Sequence, residues 1–208
     1  MQPIPDRKFD KLVTPTKIHA SVYTDPSLFH LEMQRIWGQA WIFIGHESQI
    51  PEPGDFFSTQ INPETPVVMI RDKDRSVYVL HNRCGHKGAK VVEHRSGKVS
   101  GALRCAYHGW TYRFDGSLLK IPNERGYEGT GFDKGDSCWG MQQLAQVESY
   151  RGFVFATLSR EAPDLASWMG GARDCFDNLC DRAPEGEVEV AGGVLSYEHD
   201  CNWKFILE

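Results

Sequence analysis

The sequence predicts a mainly β protein, in which an antiparallel β domain follows one helix and precedes the start of an α+β domain. Between residues 40 and 157, short β-branched and aromatic runs alternate with turn residues, which is typical of antiparallel sheets. Apolar residues recur at helical spacing before this region and again after it. We therefore expect three parts: an N-terminal arm and helix at 1–39, the β domain at 40–160, and the beginning of a further domain at 161–208.

The helix of the first part is predicted by a start signal and a periodic pattern. Asp25 is a suitable N-cap, and Pro26 is a residue that the first helical turn accepts. Gly38 then ends the pattern. The residues expected to form its apolar face are Phe29, Met33, Ile36 and Trp37.

The β domain is predicted from runs rich in Val, Ile, Phe, Tyr and Trp. Good turn signals lie at Asp72–Arg75 and at Asp115–Gly116. The candidate strands are Trp41–Gly45, Phe56–Ile61, Val67–Arg71, Val77–Leu80 and Gly152–Leu158.

The third part begins with a second helical pattern after Pro163. Its apolar positions are Leu165, Trp168, Met169, Ala172, Phe176 and Leu179. Past a break at 183–186, strands are expected around Val188, Val190, Val194 and Leu195. No cap or polar tail closes the last element at 205–208, so we expect this domain to be truncated in the sequence.

Composition restricts the class of protein. The chain has 208 residues, 40% of them hydrophobic and 25% charged, with a net charge of -5. These values indicate a soluble globular protein and argue against binding to nucleic acid or to an anionic membrane surface. The longest apolar runs are far shorter than the roughly 20 residues of a membrane-spanning helix. Residues 1–8 lack the features of a secretory signal, so a cytoplasmic location is expected.

Six cysteines in a reducing compartment are expected to be metal ligands or buried thiols rather than disulfides. Two of them have ligand spacing. The four expected to be core thiols are Cys138, Cys175, Cys180 and Cys201. Four tryptophans are also expected in the core, namely Trp37, Trp41, Trp168 and Trp203.

Two short loops contain the residues with a clear chemical role. Cys84 precedes His86 in one loop and Cys105 precedes His108 in the other, so each loop offers one thiolate and one imidazole. A [2Fe-2S] cluster with two Cys on one iron and two His on the other needs these four ligands. Glycines in both loops allow the backbone to curl around the sulfurs. These four residues are therefore the candidate cluster ligands.

A zinc ion with two Cys and two His ligands is the chemical alternative, because the number of ligands would also satisfy tetrahedral zinc. Zinc loops usually separate paired ligands by two to four residues, whereas one residue separates Cys84 from His86. The spacing favours the cluster.

The two loops resemble the C-x-H and C-x-x-H boxes of Rieske proteins, and the Tyr107-His108-Gly109-Trp110 run resembles the oxygenase branch of that family. The resemblance implies that Lys87, Tyr107, Gly109 and Trp110 support the cluster. Lys87 stands where the oxygenases usually have arginine, which keeps the charge but not the planar guanidinium. Trp110, Tyr107 and Tyr112 are expected to shield the cluster from water, although core packing explains Tyr112 equally well.

Rieske proteins of respiratory complexes carry a further cysteine in each loop, where this chain has Ala89 and Tyr107. They also have a serine at the position of Trp110, whose hydroxyl raises the reduction potential. We therefore expect a potential at the low end of the Rieske range, roughly -150 mV.

Asn202-Trp203-Lys204 followed by Glu208 resembles the start of the catalytic domain in ring-hydroxylating oxygenase large subunits. The resemblance implies that NAD(P)H-derived electrons arrive through a reductase or ferredoxin and pass through the cluster to a mononuclear Fe(II), which activates O2 beside an aromatic substrate. It also implies an α3 or α3β3 assembly, with the His86 and His108 edges facing a neighbouring subunit. The ligands of the second iron are expected beyond Glu208, so no catalytic residue is assigned in this chain.

Two alternatives remain, one about the ligands of the second iron and one about the function as a whole. His199 lies beside Asp200, yet a surface or core histidine is the better interpretation than an iron ligand. A stand-alone Rieske electron carrier without substrate chemistry is the alternative to an oxygenase subunit, and it would need little more than residues 40–157.

Overall fold

The structure, a computed structural model, describes residues 11–206. Its strands are β1 (Val13–Thr14), β2 (Lys17–Ile18), β3 (Ile42–His46), β4 (Asp55–Asn62), β5 (Thr65–Arg71), β6 (Val77–His81), β7 (Ser96–Lys98), β8 (Leu103–Arg104), β9 (Thr111–Tyr112), β10 (Leu118–Lys120), β11 (Gln146–Tyr150) and β12 (Phe153–Thr157). Its α-helices are α1 (Ser21–Thr24), α2 (Pro26–Glu32), α3 (Leu165–Met169) and α4 (Arg173–Cys180). No helix in this part of the chain is both long and apolar enough to span a membrane.

The strands form antiparallel sheets, as predicted. One sheet has the order β6-β5-β4-β7, a second β11-β12-β3, a third β10-β9-β8, and β1 pairs with β2. The five predicted strands are confirmed as β3, β4, β5, β6 and β12. Sequence patterns missed β11 and the two- and three-residue strands, because half-buried or very short strands show little apolar alternation.

The four-stranded sheet is the central layer of the β domain and is buried on both faces. On β5, Val67 and Met69 pack toward the β11-β12-β3 sheet, whereas Val68 and Ile70 pack toward the small β10-β9-β8 sheet. All four side chains are fully buried. Burial on both faces explains why this strand is a continuous apolar run in the sequence.

The predicted N-terminal helix is present but has a different buried face. The Asp25 side chain accepts a 2.8 Å hydrogen bond from the Ser27 amide, which confirms the cap. Leu28 and Leu31 are the buried residues of α2, while Phe29 and Ile36 are exposed. A π-helical turn at Met33–Trp37 follows α2 and changes the angular spacing of its side chains, so the 3.6-residue pattern does not apply there.

The second helical pattern forms two short helices rather than one. Gly170, with φ of 49°, interrupts it between α3 and α4. Leu165 is buried against Trp41 and Phe155, which attaches α3 to the outer face of the β11-β12-β3 sheet. Trp168 is exposed, so its prediction as core was wrong.

The strands expected near Val188, Val190, Val194 and Leu195 are absent from the described part of the chain. Val190 donates its amide to the Ser48 Oγ at 2.9 Å, whereas Leu195 is 84% exposed. A strand needs a neighbour for its backbone groups, and within residues 11–206 none lies alongside this segment.

Several tryptophans and cysteines that were expected in the core are not fully buried. Of the tryptophans, Trp41 is buried, while Trp37 and Trp203 are half-buried and pack edge-to-face at 5.4 Å. Of the four cysteines expected in the core, only Cys180 is buried, and those found exposed are Cys138, Cys175 and Cys201.

Glu32 connects α2 to the 3-10 helix Trp203–Ile206. Its carboxylate accepts a 2.9 Å bond from Trp203 Nε1 and forms a 2.7 Å ion pair with Lys204 Nζ. The Glu32 and Lys204 side chains are only 16% and 18% exposed. Removal of this carboxylate would leave two poorly solvated donors without their acceptor.

We expect Glu32→Ala to lower the free energy of unfolding by roughly 1–3 kcal/mol, because both donors lose their acceptor. Amide hydrogen exchange in Trp203–Ile206 should accelerate at the same time. Replacement of the exposed Glu93 by alanine serves as the control and should change neither quantity. Equal exchange rates for the two variants would contradict the role of Glu32.

Candidate metal centre

The first ligand loop is a tight turn closed by its own backbone. The Cys84 amide donates to the Ala89 carbonyl and the Gly88 amide donates to the Cys84 carbonyl, both at 2.8 Å. Gly88 has φ of 72°, a conformation that glycine adopts at little cost. Gly85 is equally constrained, since a Cβ there would lie 2.2 Å from the Trp139 carbonyl oxygen.

The second loop repeats this frame at the same spacing. The Cys105 amide donates to the Trp110 carbonyl at 2.8 Å, the Gly109 amide donates to the Cys105 carbonyl at 3.0 Å, and Gly109 also has φ of 72°. Both loops therefore curl identically around their cysteine. The imidazoles differ in position, because His86 lies two residues after its cysteine and His108 three residues after.

The fold brings like donors together. The Cys84 and Cys105 thiols are buried neighbours, and both are free. The His86 and His108 rings lie 4.8 Å apart, at 68° to each other. Two adjacent thiols and two adjacent imidazoles match the division of ligands between the two irons of the predicted cluster.

Electrostatics at the thiols favours the protonated form of Cys84 when no metal is bound. Burial is the main cause that raises the pKa of Cys84, and the neighbouring Cys105 raises it further. The protein alone therefore disfavours the thiolate that a metal needs. A cationic centre would supply the stabilisation that the apolar surroundings lack.

His86 has the features of a metal ligand. Its Nδ1 is buried and, among the described residues, has no hydrogen-bond partner. Burial lowers the pKa of His86, and the charges of His108 and Lys87 add to this effect, so the ring is neutral as ligation requires. The ring stacks on Trp110 at 4.8 Å with an interplanar angle of 5°. An orphaned ring nitrogen beside two buried thiols fits the predicted cluster.

His108 is the more accessible of the two imidazoles. It is exposed, whereas His86 is half-buried. Tyr107 lies against the His108 ring, with centroids 3.7 Å apart, but is itself 66% exposed. Tyr107 therefore covers one side of the His108 ring. Of the other predicted supporting residues, Trp110 is buried and Lys87 is exposed.

Tyr112 contacts the site through its hydroxyl group. The side chain is fully buried, and its oxygen lies 2.8 Å from Cys84 Sγ and accepts a 3.1 Å bond from the Gly85 amide. Burial and the contact with Cys84 raise the pKa of Tyr112, so the hydroxyl keeps its proton and can donate it toward sulfur. From the sequence, shielding of the cluster and ordinary core packing were equally good explanations for Tyr112. With a cluster bound, a hydrogen bond from this hydroxyl to the sulfur would raise the reduction potential, which is opposite to the effect expected from Trp110 in place of serine.

An aromatic cluster that the sequence did not reveal covers the Trp110 side of the site. Trp110 meets Tyr127, Phe132 and Trp139 at centroid distances of 5.9–6.4 Å. These three residues lie in irregular segments and 3-10 turns. Irregular segments have no apolar periodicity, so only the tertiary structure could bring them together.

The remaining sequence predictions concern residues outside this centre. His199 and Asp200 are both exposed. Within residues 11–206, no group of three or more His, Cys, Asp or Glu side chains is arranged around a single metal ion. Glu208, which contributed to the resemblance at the C-terminal end of the sequence, lies outside the described residues.

Comparison with known protein families gives a match to the Rieske [2Fe-2S] domain over residues 40–151. Curated relatives include the biphenyl dioxygenase subunit alpha of Paraburkholderia xenovorans strain LB400, which is 42% identical over 193 residues. The alignment covers 90% of this chain and 41% of that subunit. The benzene 1,2-dioxygenase subunit alpha of Pseudomonas putida is 37% identical, with coverage of 92% and 41%. The chain thus spans about two fifths of the length of these relatives.

Solved structures give a consistent result. Naphthalene 1,2-dioxygenase from Rhodococcus sp. bound to indole superposes with a TM-score of 0.82 and 31% identity, covering 94% of this chain and 43% of that one. A quaternary ammonium Rieske monooxygenase bound to γ-butyrobetaine superposes with a TM-score of 0.69 and 31% identity, covering 78% and 44%.

We expect Tyr112→Phe to lower the midpoint potential of the bound cluster, because a hydrogen bond to a ligand sulfur stabilises the reduced, more negative state. A contribution of about 1 kcal/mol corresponds to roughly 40 mV for a one-electron couple. Protein-film voltammetry measures the shift. Tyr78→Phe is the control, because Tyr78 packs against the same hydrophobic core. Equal potentials for the two variants would exclude a tuning role for the Tyr112 hydroxyl.

Proposed function

Because the chain belongs to the Rieske [2Fe-2S] family and is similar to alpha subunits of aromatic ring-hydroxylating dioxygenases, we propose that it is the electron-transfer portion of such an oxygenase. The similarity to these subunits extends over 193 residues, well beyond the family match at 40–151. This extent supports an oxygenase subunit over a stand-alone Rieske electron carrier.

The pairing of two buried thiols with two imidazoles is the observation that carries this function. In the proposed site, Cys84 and Cys105 hold the buried iron and His86 and His108 hold the outer one. When bound, the cluster supplies reversible one-electron chemistry. The apolar surroundings of the thiols keep water away, and the exposed His108 ring is the point of contact with a redox partner.

Cationic side chains on and beside the two ligand loops suggest the chemistry of the electron donor. Lys87 directly follows His86, and Arg104 and Lys120 flank Thr111 in adjacent strands of the β10-β9-β8 sheet. All three cations are exposed. On a chain with a net charge of -5, this local positive charge would attract an acidic face of a ferredoxin or reductase that carries electrons from NAD(P)H.

For the proposed oxygenase we propose an N-terminal arm and helix at 1–39, the cluster domain at 40–160 and the beginning of the catalytic domain at 161–208, of which residues 1–10 and 207–208 lie outside the described part of the chain. A mononuclear Fe(II) held elsewhere in the subunit would activate O2 beside an aromatic substrate. Biphenyl and benzene appear in the names of the relatives and indicate the substrate class. We propose an α3 or α3β3 assembly in which His108 faces the neighbouring subunit.

Chemical analysis after anaerobic reconstitution tests the cluster. We expect about two iron atoms and two labile sulfides per chain. His108→Ala should abolish the Rieske signal in electron paramagnetic resonance, whereas replacement of the exposed His94 by alanine should leave it intact. Zinc in place of iron and sulfide, or an unchanged signal in His108→Ala, would refute the assignment.

We expect Lys87→Glu to slow reduction by an acidic ferredoxin at low ionic strength by roughly two- to fivefold, because it reverses a charge that steers the encounter. Stopped-flow measurements with increasing salt should show the difference disappear as charges are screened. Lys17→Glu, on the exposed β2 strand, is the matched charge-reversal control. An identical effect in both variants would mean that net charge, rather than a docking face, governs the rate.

A further inference from the structure

The bases of the two ligand loops are held together in different ways. Strands β8 and β9 flank the second loop and pair across its base, with Leu103 opposite Tyr112 and Arg104 opposite Thr111. This loop is therefore the tip of a β-hairpin, and its cysteine position is fixed by backbone ladder bonds.

The first loop has no such ladder. It follows β6, which ends at His81, and it returns through residues 90–95, which belong to no strand. The next strand, β7, begins at Ser96 and pairs with β4 rather than with β6. The return segment bonds to β4 at its far end, where the Ser58 amide donates to the Arg95 carbonyl at 2.6 Å, so the residues nearer the loop need another contact with the central sheet.

The side chain of Asn82 supplies that contact. Its Oδ1 accepts bonds from the Val91 amide at 3.1 Å and the Val92 amide at 2.9 Å, and its Nδ2 donates to the Val92 carbonyl at 2.8 Å. Asn82 is fully buried. Its amide thus bonds to the backbone on the far side of the loop in the way that a neighbouring strand would.

Asn82 is itself fixed to the central sheet. Its backbone amide donates to the Pro66 carbonyl on β5 at 2.8 Å, and its Nδ2 also reaches Ser58 Oγ on β4 at 3.3 Å. The contacts therefore run from β4 and β5 through one side chain to the segment that closes the loop. A carboxamide is suited to this task because it accepts two bonds and donates two, which neither aspartate nor an apolar residue can do.

We infer that Asn82 is a positioning residue for the first pair of cluster ligands, replacing the strand ladder that positions the second pair. The inference rests on the proposed cluster function. The bonds inside the loop, from Cys84 to Ala89 and Gly88, do not involve Asn82, so the loop keeps its own shape without it. Asn82 acts together with the Tyr112 hydroxyl, which reaches Cys84 and Gly85 from β9, to fix where Cys84 and His86 lie relative to Cys105 and His108.

The test compares cluster retention in three forms of the reconstituted protein: wild type, Asn82→Ala and Thr157→Val. Thr157 is the matched control because it is also fully buried and accepts a bond from the Ser159 amide at 3.1 Å, but it lies on β12 in another sheet. Cluster loss to a chelator is followed by visible absorbance, and electron paramagnetic resonance reports the ligand geometry.

We expect Asn82→Ala to lose its cluster about tenfold faster than wild type or more, a difference equivalent to about 1.4 kcal/mol. Its g values should also shift. Thr157→Val should match wild type in both measurements, although its melting temperature falls. A similar loss rate in Asn82→Ala and Thr157→Val would overturn the inference, since general destabilisation would then explain the effect.

Asn82→Asp provides a second test should the alanine variant not fold. The carboxylate keeps the two bonds accepted from Val91 and Val92 but cannot donate to the Val92 carbonyl. Its cluster should be lost faster than that of wild type, and wild-type retention with unchanged g values would overturn the inference. Failure of the wild-type protein to bind iron and sulfide would instead refute the proposed function.

Discussion

The placement of two thiols side by side inside an apolar core is the constraint on which the rest of this structure depends. Burial raises the pKa of Cys84, so the charged form of this sulfur needs a cationic partner. The same burial excludes water from the sulfur end of the site. The imidazole end remains near the surface, with His108 exposed. One centre thereby combines a protected interior with an accessible edge, which one-electron exchange with another protein requires.

The layered β domain makes this placement possible. The four-stranded sheet lies between the β11-β12-β3 sheet and the small sheet that carries the second loop, and it is buried on both faces. A densely packed central layer resists the shifts that would separate donors from two distant loops. The first loop is attached to this layer through Asn82, whereas the second is held by a hairpin ladder within the small sheet, which packs on the layer. Two different attachments thus hold two loops with the same internal geometry.

The surroundings of the two imidazoles are unequal, although their loops share one backbone frame. His86 stacks on Trp110, which is backed by an aromatic cluster, whereas the outer side of His108 lies against the exposed Tyr107. The Tyr112 hydroxyl adds a polar contact at the Cys84 sulfur. Polarity and solvent access around ligands tune the potential of iron-sulfur centres. These neighbours would tune the potential of a cluster held by the four candidate donors.

The sequence by itself determined the four candidate donors, the two glycine turns and five strands, because ligand spacing, left-handed glycines and apolar runs are local properties of the chain. Only the tertiary structure decided that Tyr112 and Asn82 contact the site, that α2 buries Leu28 rather than Phe29, and that residues 187–199 form no strand. Each of these outcomes depends on which neighbour lies across the fold. Contacts between residues distant in sequence leave no periodic signal in the sequence, so they could not be predicted from it.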